Sequence, residues 1–170
     1  LAIALESALA LANAGVDGLL LGDTFAGLVG PRYYREFCLP YFRRFVESLE
    51  VRLGPNRPLI YMHTCGRASP ILELMAETGV DCVEPLDPLG DVSVSDAKAR
   101  IGSRVALMGG VNTLKLARGT VDEVQVDIQR CLNEGAPGGG YILAAGDMLQ
   151  TETTPEKVRA MVEAAHSWVY

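Results

Sequence analysis

The sequence alternates five times between a short apolar run and a longer segment with helical spacing. The apolar runs are Val16–Leu21, Leu59–Met62, Val80–Val83, Val105–Met108 and Tyr141–Ala145. The first of these runs is apolar on both faces apart from one residue, which is typical of a parallel strand covered by helices rather than of a half-exposed hairpin. The alternation therefore predicts βα units joined by right-handed crossovers into one parallel sheet.

Capping signals mark the helices between these runs. Leu1–Ala14 is rich in Ala and Leu, which have high helix propensity. Ser69-Pro70 and Thr154-Pro155 each predict an N-cap followed by a first-turn proline. Thr120 and Glu123 stand at the spacing of a capping box, ahead of an apolar stripe. With the helical pattern from Pro31 and the short helix expected around Ser95–Ile101, these signals predict a helix after every strand.

Two architectures accommodate five such units. An open, doubly wound five-stranded sheet would be complete at this length. A closed (β/α) barrel of TIM type typically needs about 250 residues, so that this chain would supply about five of its eight βα units. The pattern of runs leaves both architectures open. We expect a single domain over residues 1–170, because no linker or low-complexity tract interrupts the alternation.

Composition and charge limit the kinds of molecule that the chain is expected to bind. Hydrophobic residues make up 49% and charged residues 21% of the 170 residues, which predicts one folded, soluble domain rather than a disordered chain. The net charge of −6 argues against a nucleic-acid groove or a patch for anionic membranes. No uncharged apolar run is long enough for a membrane helix. We therefore expect a small-molecule substrate, with neither nucleic acid nor membrane as partner.

The cysteines indicate the redox compartment. Four cysteines are spread through predicted helices and strands, unlike the spacing of a small disulfide scaffold. The apolar amino-terminal segment also lacks the basic residues with which a secretory signal begins. A reducing cytoplasm is the expected location.

Polar residues follow each predicted strand, and in parallel α/β folds the ligand site forms at the carboxyl ends of the strands. We expect Asp23, Thr24 and Glu84 to act in catalysis and Asn112 to contact a cofactor. Asp147 follows the last strand. The alternative is that such residues only cap the helices that come next, a position that Asp favours.

His63 and Cys65 follow the second strand with one residue between them. Side chains two apart in an extended segment point to the same face, so the imidazole and the thiol could bind one ion together. Zinc takes nitrogen and sulfur ligands, and a catalytic zinc uses three protein ligands with an open fourth position. Asp147, Glu84 and Asp23 are the candidates for the third ligand. The alternative interpretation is a partly buried structural pair.

Several motifs resemble one family along the whole chain. They are, in order, GDTFAGLVGPRYYREFCLPYFRR, HTCGR, GVDCVEPLDP, KARIGSRVALMGGVN, GGGYILAAGD and TPEKV. Together they resemble the carboxyl-terminal half of the uroporphyrinogen decarboxylase superfamily, which includes zinc-dependent methylcobamide:thiol methyltransferases. Both branches are (β/α)8 barrels. The resemblance favours the barrel and implies that this chain corresponds to its fourth to eighth strands.

The resemblance also assigns roles to strand-end residues. The H-x-C-G motif is similar to the methyltransferase pattern, which implies zinc on His63 and Cys65. The third zinc-binding Cys of that pattern falls at Asp147, where decarboxylases have a His, and a carboxylate is also a zinc ligand. Thr24 lies where decarboxylases place a Ser that contacts the tetrapyrrole.

Three functions follow from these expectations. The leading one is zinc-assisted methyl transfer from a methylcorrinoid or similar donor to a thiol. The first alternative is decarboxylation of uroporphyrinogen in porphyrin biosynthesis, for which the few basic residues at the strand ends offer little to hold a poly-carboxylate. The second alternative is a non-catalytic binding fragment. Strands four to eight alone would have two unpaired edges, so we expect self-association or a partner chain that supplies the missing strands.

Overall fold

A computed structural model describes residues 1–169, which form five strands and eight α-helices. The strands are β1 (Gly18–Gly22), β2 (Leu59–His63), β3 (Cys82–Leu86), β4 (Ala106–Val111) and β5 (Tyr141–Ala145). The helices are α1 (Ala2–Asn13), α2 (Gly30–Tyr33), α3 (Leu39–Leu53), α4 (Leu72–Ala76), α5 (Val94–Ile101), α6 (Thr113–Arg118), α7 (Val121–Gly135) and α8 (Pro155–Ser167). A π-helical turn, Tyr34–Cys38, joins α2 to α3, and short 3₁₀ turns occur at Ala26–Val29, Gly54–Asn56 and Ser69–Ile71.

The strands form one sheet in the order β1-β2-β3-β4-β5, and every neighbouring pair is parallel. A doubly wound sheet reverses its strand order at a switch point, where ligands bind. No reversal occurs here, so the doubly wound alternative is wrong. Sequential parallel strands are the arrangement of successive units in a (β/α) barrel. Within residues 1–169 the sheet is open, with β1 and β5 at its edges.

The two faces of the sheet differ in burial. The face toward the helices is buried and includes Leu19, Ile60, Met62, Val83 and Leu107. Right-handed crossovers without a reversal place all helices on one side of a sheet. The opposite face is therefore uncovered, and its Leu20, Leu59 and Ile142 side chains are 54%, 63% and 50% exposed. This apolar face is the one that a closed barrel would enclose.

Strand boundaries agree with the sequence predictions to within a few residues. β5 spans the predicted residues, and β2 runs one residue further to include His63. β3 begins two residues later than predicted and continues to Leu86, which carries Glu84 inside the strand rather than just after it. β4 likewise extends to Val111. β2, β3 and β4 therefore end one to three residues later than their apolar runs predicted, so that His63 and Glu84 lie within strands.

The helix signals have different outcomes. Thr120 and Glu123 form the predicted capping box, with hydrogen bonds of 3.2 and 2.7 Å. The helix predicted to begin at Ser69-Pro70 starts as a 3₁₀ turn before α4, and α6 was not predicted. None of the helices in the described part of the chain combines the length and hydropathy that a membrane span requires.

Candidate functional site

His63 is the last residue of β2, and Glu84 lies within β3, two residues before its carboxyl end. The two residues are register partners, so their side chains leave the sheet on the same face. His63 Nδ1 lies 2.8 Å from Glu84 Oε1, a hydrogen-bond distance. Their side chains are 26% and 11% exposed. The pair is thus sheltered but open to a ligand from one side.

A cavity of about 450 Å³ lies over this pair. Its lining residues are His63, Glu84, Pro85, Ala145, Asp147 and Met148. β2 and β5 are not neighbours in the sheet, yet residues at the ends of both strands line this cavity. The structure therefore brings three of the predicted site residues, His63, Glu84 and Asp147, around one space. The lining thus contains two carboxyl groups, those of Glu84 and Asp147, and no Lys or Arg.

The loop after β1 is tied to the loop after β2. The backbone N–H of Asp23 donates to the His63 carbonyl at 2.8 Å, and the Thr64 hydroxyl donates to the Asp23 carbonyl at 3.3 Å. Asp23 Oδ2 is buried without a hydrogen-bond partner among the described residues. Burial raises the pKa of the Asp23 carboxyl, and the neighbouring Tyr34 hydroxyl partly offsets the rise. Thr24, next to it, is exposed.

Cys65 is buried, with 7% of its surface exposed, and it is not among the residues that line the cavity. Burial raises the pKa of its thiol, and the negative charges of Asp147 and Asp87 raise it further. These charges act on Cys65 because both carboxyl groups lie nearby. In the absence of a cation, the Cys65 sulfur is therefore held as a thiol.

Asn112 has a structural task in the loop after β4. Its side-chain oxygen accepts hydrogen bonds from the backbone N–H groups of Leu114 and Lys115, at 2.9 and 3.1 Å, and so caps α6. Its own N–H donates to Asp127 on α7 at 2.8 Å. The capping alternative describes this residue, and a cofactor contact from Asn112 stays a prediction.

Two residues near the site were not singled out by the sequence. Tyr34, in the π-helical turn, is fully buried, and its hydroxyl lies 3.5 Å from Met62 Sδ and beside the Asp23 carboxyl. Met148 lines the cavity next to Asp147. Tyr34 lies among helix-forming residues, so its position under the β1 loop depends on tertiary packing. A π-helical turn is a feature often found near functional sites.

Comparison with known protein families places the chain in one of them. A profile of the family described as Uroporphyrinogen decarboxylase (URO-D) matches residues 2–168. The chain belongs to the uroporphyrinogen decarboxylase family. A uroporphyrinogen decarboxylase of Thioalkalivibrio sulfidiphilus is 33% identical over 153 residues, covering 90% of this chain and 42% of that protein. One of Pseudoalteromonas translucida is 28% identical over 156 residues, covering 92% and 43%.

A solved structure extends this URO-D family relationship to the fold. A methyltransferase from Methanosarcina mazei superposes with a TM-score of 0.77 at 27% identity, covering 96% of this chain and 47% of that one. The chain thus spans less than half the length of the relatives that it matches. The proteins that this chain resembles thus include some called uroporphyrinogen decarboxylase and one called a methyltransferase.

The resemblance of the H-x-C-G motif to the methyltransferase pattern implies zinc at these strand ends. Imidazole nitrogen, thiol sulfur and carboxylate oxygen are all donors that zinc accepts. Within residues 1–169, however, no three His, Cys, Asp or Glu side chains are clustered closely enough to hold a metal ion. The donor types of His63, Cys65 and Asp147 fit zinc, whereas a preassembled three-ligand site is not present in the described residues.

Proposed function

We propose that this chain carries the zinc-binding strand ends of a URO-D superfamily enzyme that transfers a methyl group from a methylcorrinoid, or a similar donor, to a thiol. His63, Cys65 and Asp147 are the proposed ligands. Asp23, Thr24 and Asn112 remain candidates for substrate or cofactor contacts. Zinc, when bound, would lower the pKa of a thiol and present it as a thiolate, the nucleophilic form of sulfur.

The charge of the cavity lining is the observation that supports this proposal. Glu84 and Asp147 face the cavity, and no Lys or Arg is among the lining residues. Asp87 lies nearby, and Arg67 of the HTCGR motif faces Asp91 at 3.6 Å. A low-dielectric cleft with carboxylates attracts a cation and repels a poly-carboxylate. Metal binding therefore suits these residues better than tetrapyrrole carboxylates do.

Within the proposed site, each residue has a distinct task. His63 offers a ring nitrogen on the cavity face of β2. Cys65 offers sulfur, and the same negative charges that now favour its thiol form would be countered by a bound cation. Asp147 offers an oxygen from the far side of the cavity, after β5.

Zinc affinity tests the proposal. The 170-residue chain is titrated against a chromophoric zinc chelator, and one zinc per chain is expected in the wild type. His63→Ala, Cys65→Ala and Asp147→Ala are each expected to weaken binding at least about 10-fold, since each removes one donor. Asp122→Asn, on the exposed start of α7, is the matched control. Circular dichroism shows whether each variant is folded.

Two results would contradict parts of the proposal. A folded wild-type chain that binds no zinc contradicts the zinc-dependent function. Zinc binding that is unchanged in Asp147→Ala contradicts the assignment of Asp147 and moves the third ligand to Asp23 or Glu84.

Decarboxylation of uroporphyrinogen is the second candidate. It is favoured by the curated relatives, which are themselves called uroporphyrinogen decarboxylases. Binding of a porphyrinogen and of a methylcorrinoid to the same protein, followed by fluorescence and absorbance, distinguishes the two. Tight porphyrinogen binding without zinc would support the second candidate against the first.

A further inference from the structure

Glu84 was a candidate both for catalysis and for the third metal ligand, and its geometry suggests a different task. It is the register partner of His63 on the neighbouring strand. One of its carboxyl oxygens lies 2.8 Å from His63 Nδ1. With its side chain only 11% exposed, Glu84 has little freedom to turn away from the imidazole.

The hydrogen bond determines which ring nitrogen of His63 carries the proton. An ionised carboxylate only accepts hydrogen bonds, and a neutral imidazole has one N–H group and one bare nitrogen. The hydrogen bond to Glu84 therefore requires the N–H group to be at Nδ1. The lone pair is then on Nε2, which has no hydrogen-bond partner within residues 1–169.

The other side of His63 is open. Its register partner on β1 is Gly22, which has no side chain. Even a methyl group built on Gly22 would contact nothing within 4 Å. His63 also lines the 450 Å³ cavity. The imidazole thus has the Glu84 carboxylate on its Nδ1 side, and there is free space on the side of Gly22.

The geometry points to Glu84 as a positioning residue that holds His63 in its Nδ1–H form, so that Nε2 is the ligand atom for a divalent ion of the zinc type. This inference rests on the proposed function for the identity of the ion. Glu84 acts through His63 and does not itself contact the ion. A carboxylate that orients a ligating histidine in this way raises its basicity and fixes the direction of its lone pair.

Nitrogen NMR of the metal-free chain tests the tautomer directly. The chain has only two histidines, and His166→Gln removes the second signal. At about pH 8, His63 is expected to show the Nδ1–H pattern in long-range ¹H–¹⁵N spectra. Glu84→Ala is expected to lose that pattern. Glu84→Gln retains an acceptor oxygen and is expected to restore it in part.

Zinc competition gives the second readout. Glu84→Ala is expected to weaken zinc binding by about 10- to 100-fold, the usual effect of removing such an outer carboxylate. Glu84→Gln is expected to fall between Glu84→Ala and wild type. Glu163→Gln on the exposed face of α8 is the matched control.

The two readouts separate this inference from the proposed function. An Nδ1–H pattern that persists in a folded Glu84→Ala protein overturns the positioning role, whatever the zinc result. A tautomer that depends on Glu84 in a chain that binds no zinc supports the positioning role and contradicts the proposed zinc function. Zinc binding that is equally strong in wild type and Glu84→Ala overturns the claim that Glu84 positions the ligand atom.

Discussion

Arg57 and Asp81 join the amino ends of β2 and β3 through two side-by-side hydrogen bonds of 2.6 and 2.9 Å. Asp81 also accepts a hydrogen bond of 2.7 Å from the backbone N–H of Ile60. This pair lies at the opposite end of the strands from His63 and Glu84. In parallel α/β barrels the amino ends of the strands contribute to stability and the carboxyl ends to function, and the candidate residues His63 and Glu84 lie toward the carboxyl ends of β2 and β3.

Arg57→Ala is expected to lower the free energy of unfolding by about 2 kcal/mol at neutral pH, because it leaves a half-buried carboxylate without its charged partner. Urea denaturation measures the loss. Arg52→Ala removes an exposed pair with Glu6 at 3.4 Å and is expected to cost less than about 0.5 kcal/mol. Equal losses in the two variants would contradict the importance of the Arg57–Asp81 pair.

The same pair predicts a pH dependence. Burial alone would raise the pKa of Asp81, but hydrogen bonds from Arg57 and Ile60 outweigh it and hold the pKa below its ordinary value. A lowered pKa in the folded state stabilises the protein above the ordinary pKa, and this contribution disappears as the pH falls through the lowered value. The difference between wild type and Arg57→Ala should therefore shrink at acid pH. A difference that stays constant down to about pH 2 would disagree with this linkage.

Gly27→Ala is expected to be strongly destabilising. A methyl group on Gly27 would overlap the backbone carbonyl of Arg67, in the loop that follows His63 and Cys65. Because a backbone atom cannot move as a side chain can, we expect a loss of about 1 to 3 kcal/mol and weaker zinc binding. Gly22→Ala is the matched control, since a methyl group there meets nothing within 4 Å. Thermal denaturation of both variants decides the point, and similar melting temperatures would contradict it.

Asp23→Asn is expected to stabilise the chain at alkaline pH. Burial raises the pKa of the Asp23 carboxyl, although Tyr34 partly offsets it, so ionised Asp23 costs stability above its folded-state pKa. Below the ordinary pKa both folded and unfolded states are protonated, and the cost is absent. The gain from Asn should therefore be on the order of 1 kcal/mol at about pH 8 and decrease on acidification. Urea denaturation at several pH values measures it, with exposed Asp17→Asn as control.

The uncovered face of the sheet predicts association. Leu20 and Ile142 are exposed on β1 and β5, the two edge strands, and such edges pair with other strands. The 170-residue chain is expected to self-associate, or to bind a chain with further strands, over more than about 1,000 Å². Leu20→Lys and Ile142→Lys should reduce self-association in light scattering. Val51→Lys, at an 87% exposed position on α3, should not. A stable monomer at micromolar concentration would contradict this expectation.

Local features of this protein were determined by the sequence itself. The capping box of Thr120 and Glu123 and the bounds of β5 follow from residues that are neighbours in the chain. A local signal also has limits: Thr154 stands at the N-cap of α8, yet its side chain makes no capping hydrogen bond. His63 and Cys65 were selected by their spacing, and His63 lines the cavity.

Only the tertiary structure decided how distant residues meet. Non-local contacts set the order of the strands and the register that places His63 opposite Glu84. They also place Asp147 at the same cavity. Short apolar runs carry no information about which strand they pair with, because any of them offers the same backbone donors and acceptors. The burial of Cys65 likewise depends on packing between loops. The sequence thus determined which residues are candidates for the site, and the folded sheet decided which of them lie together.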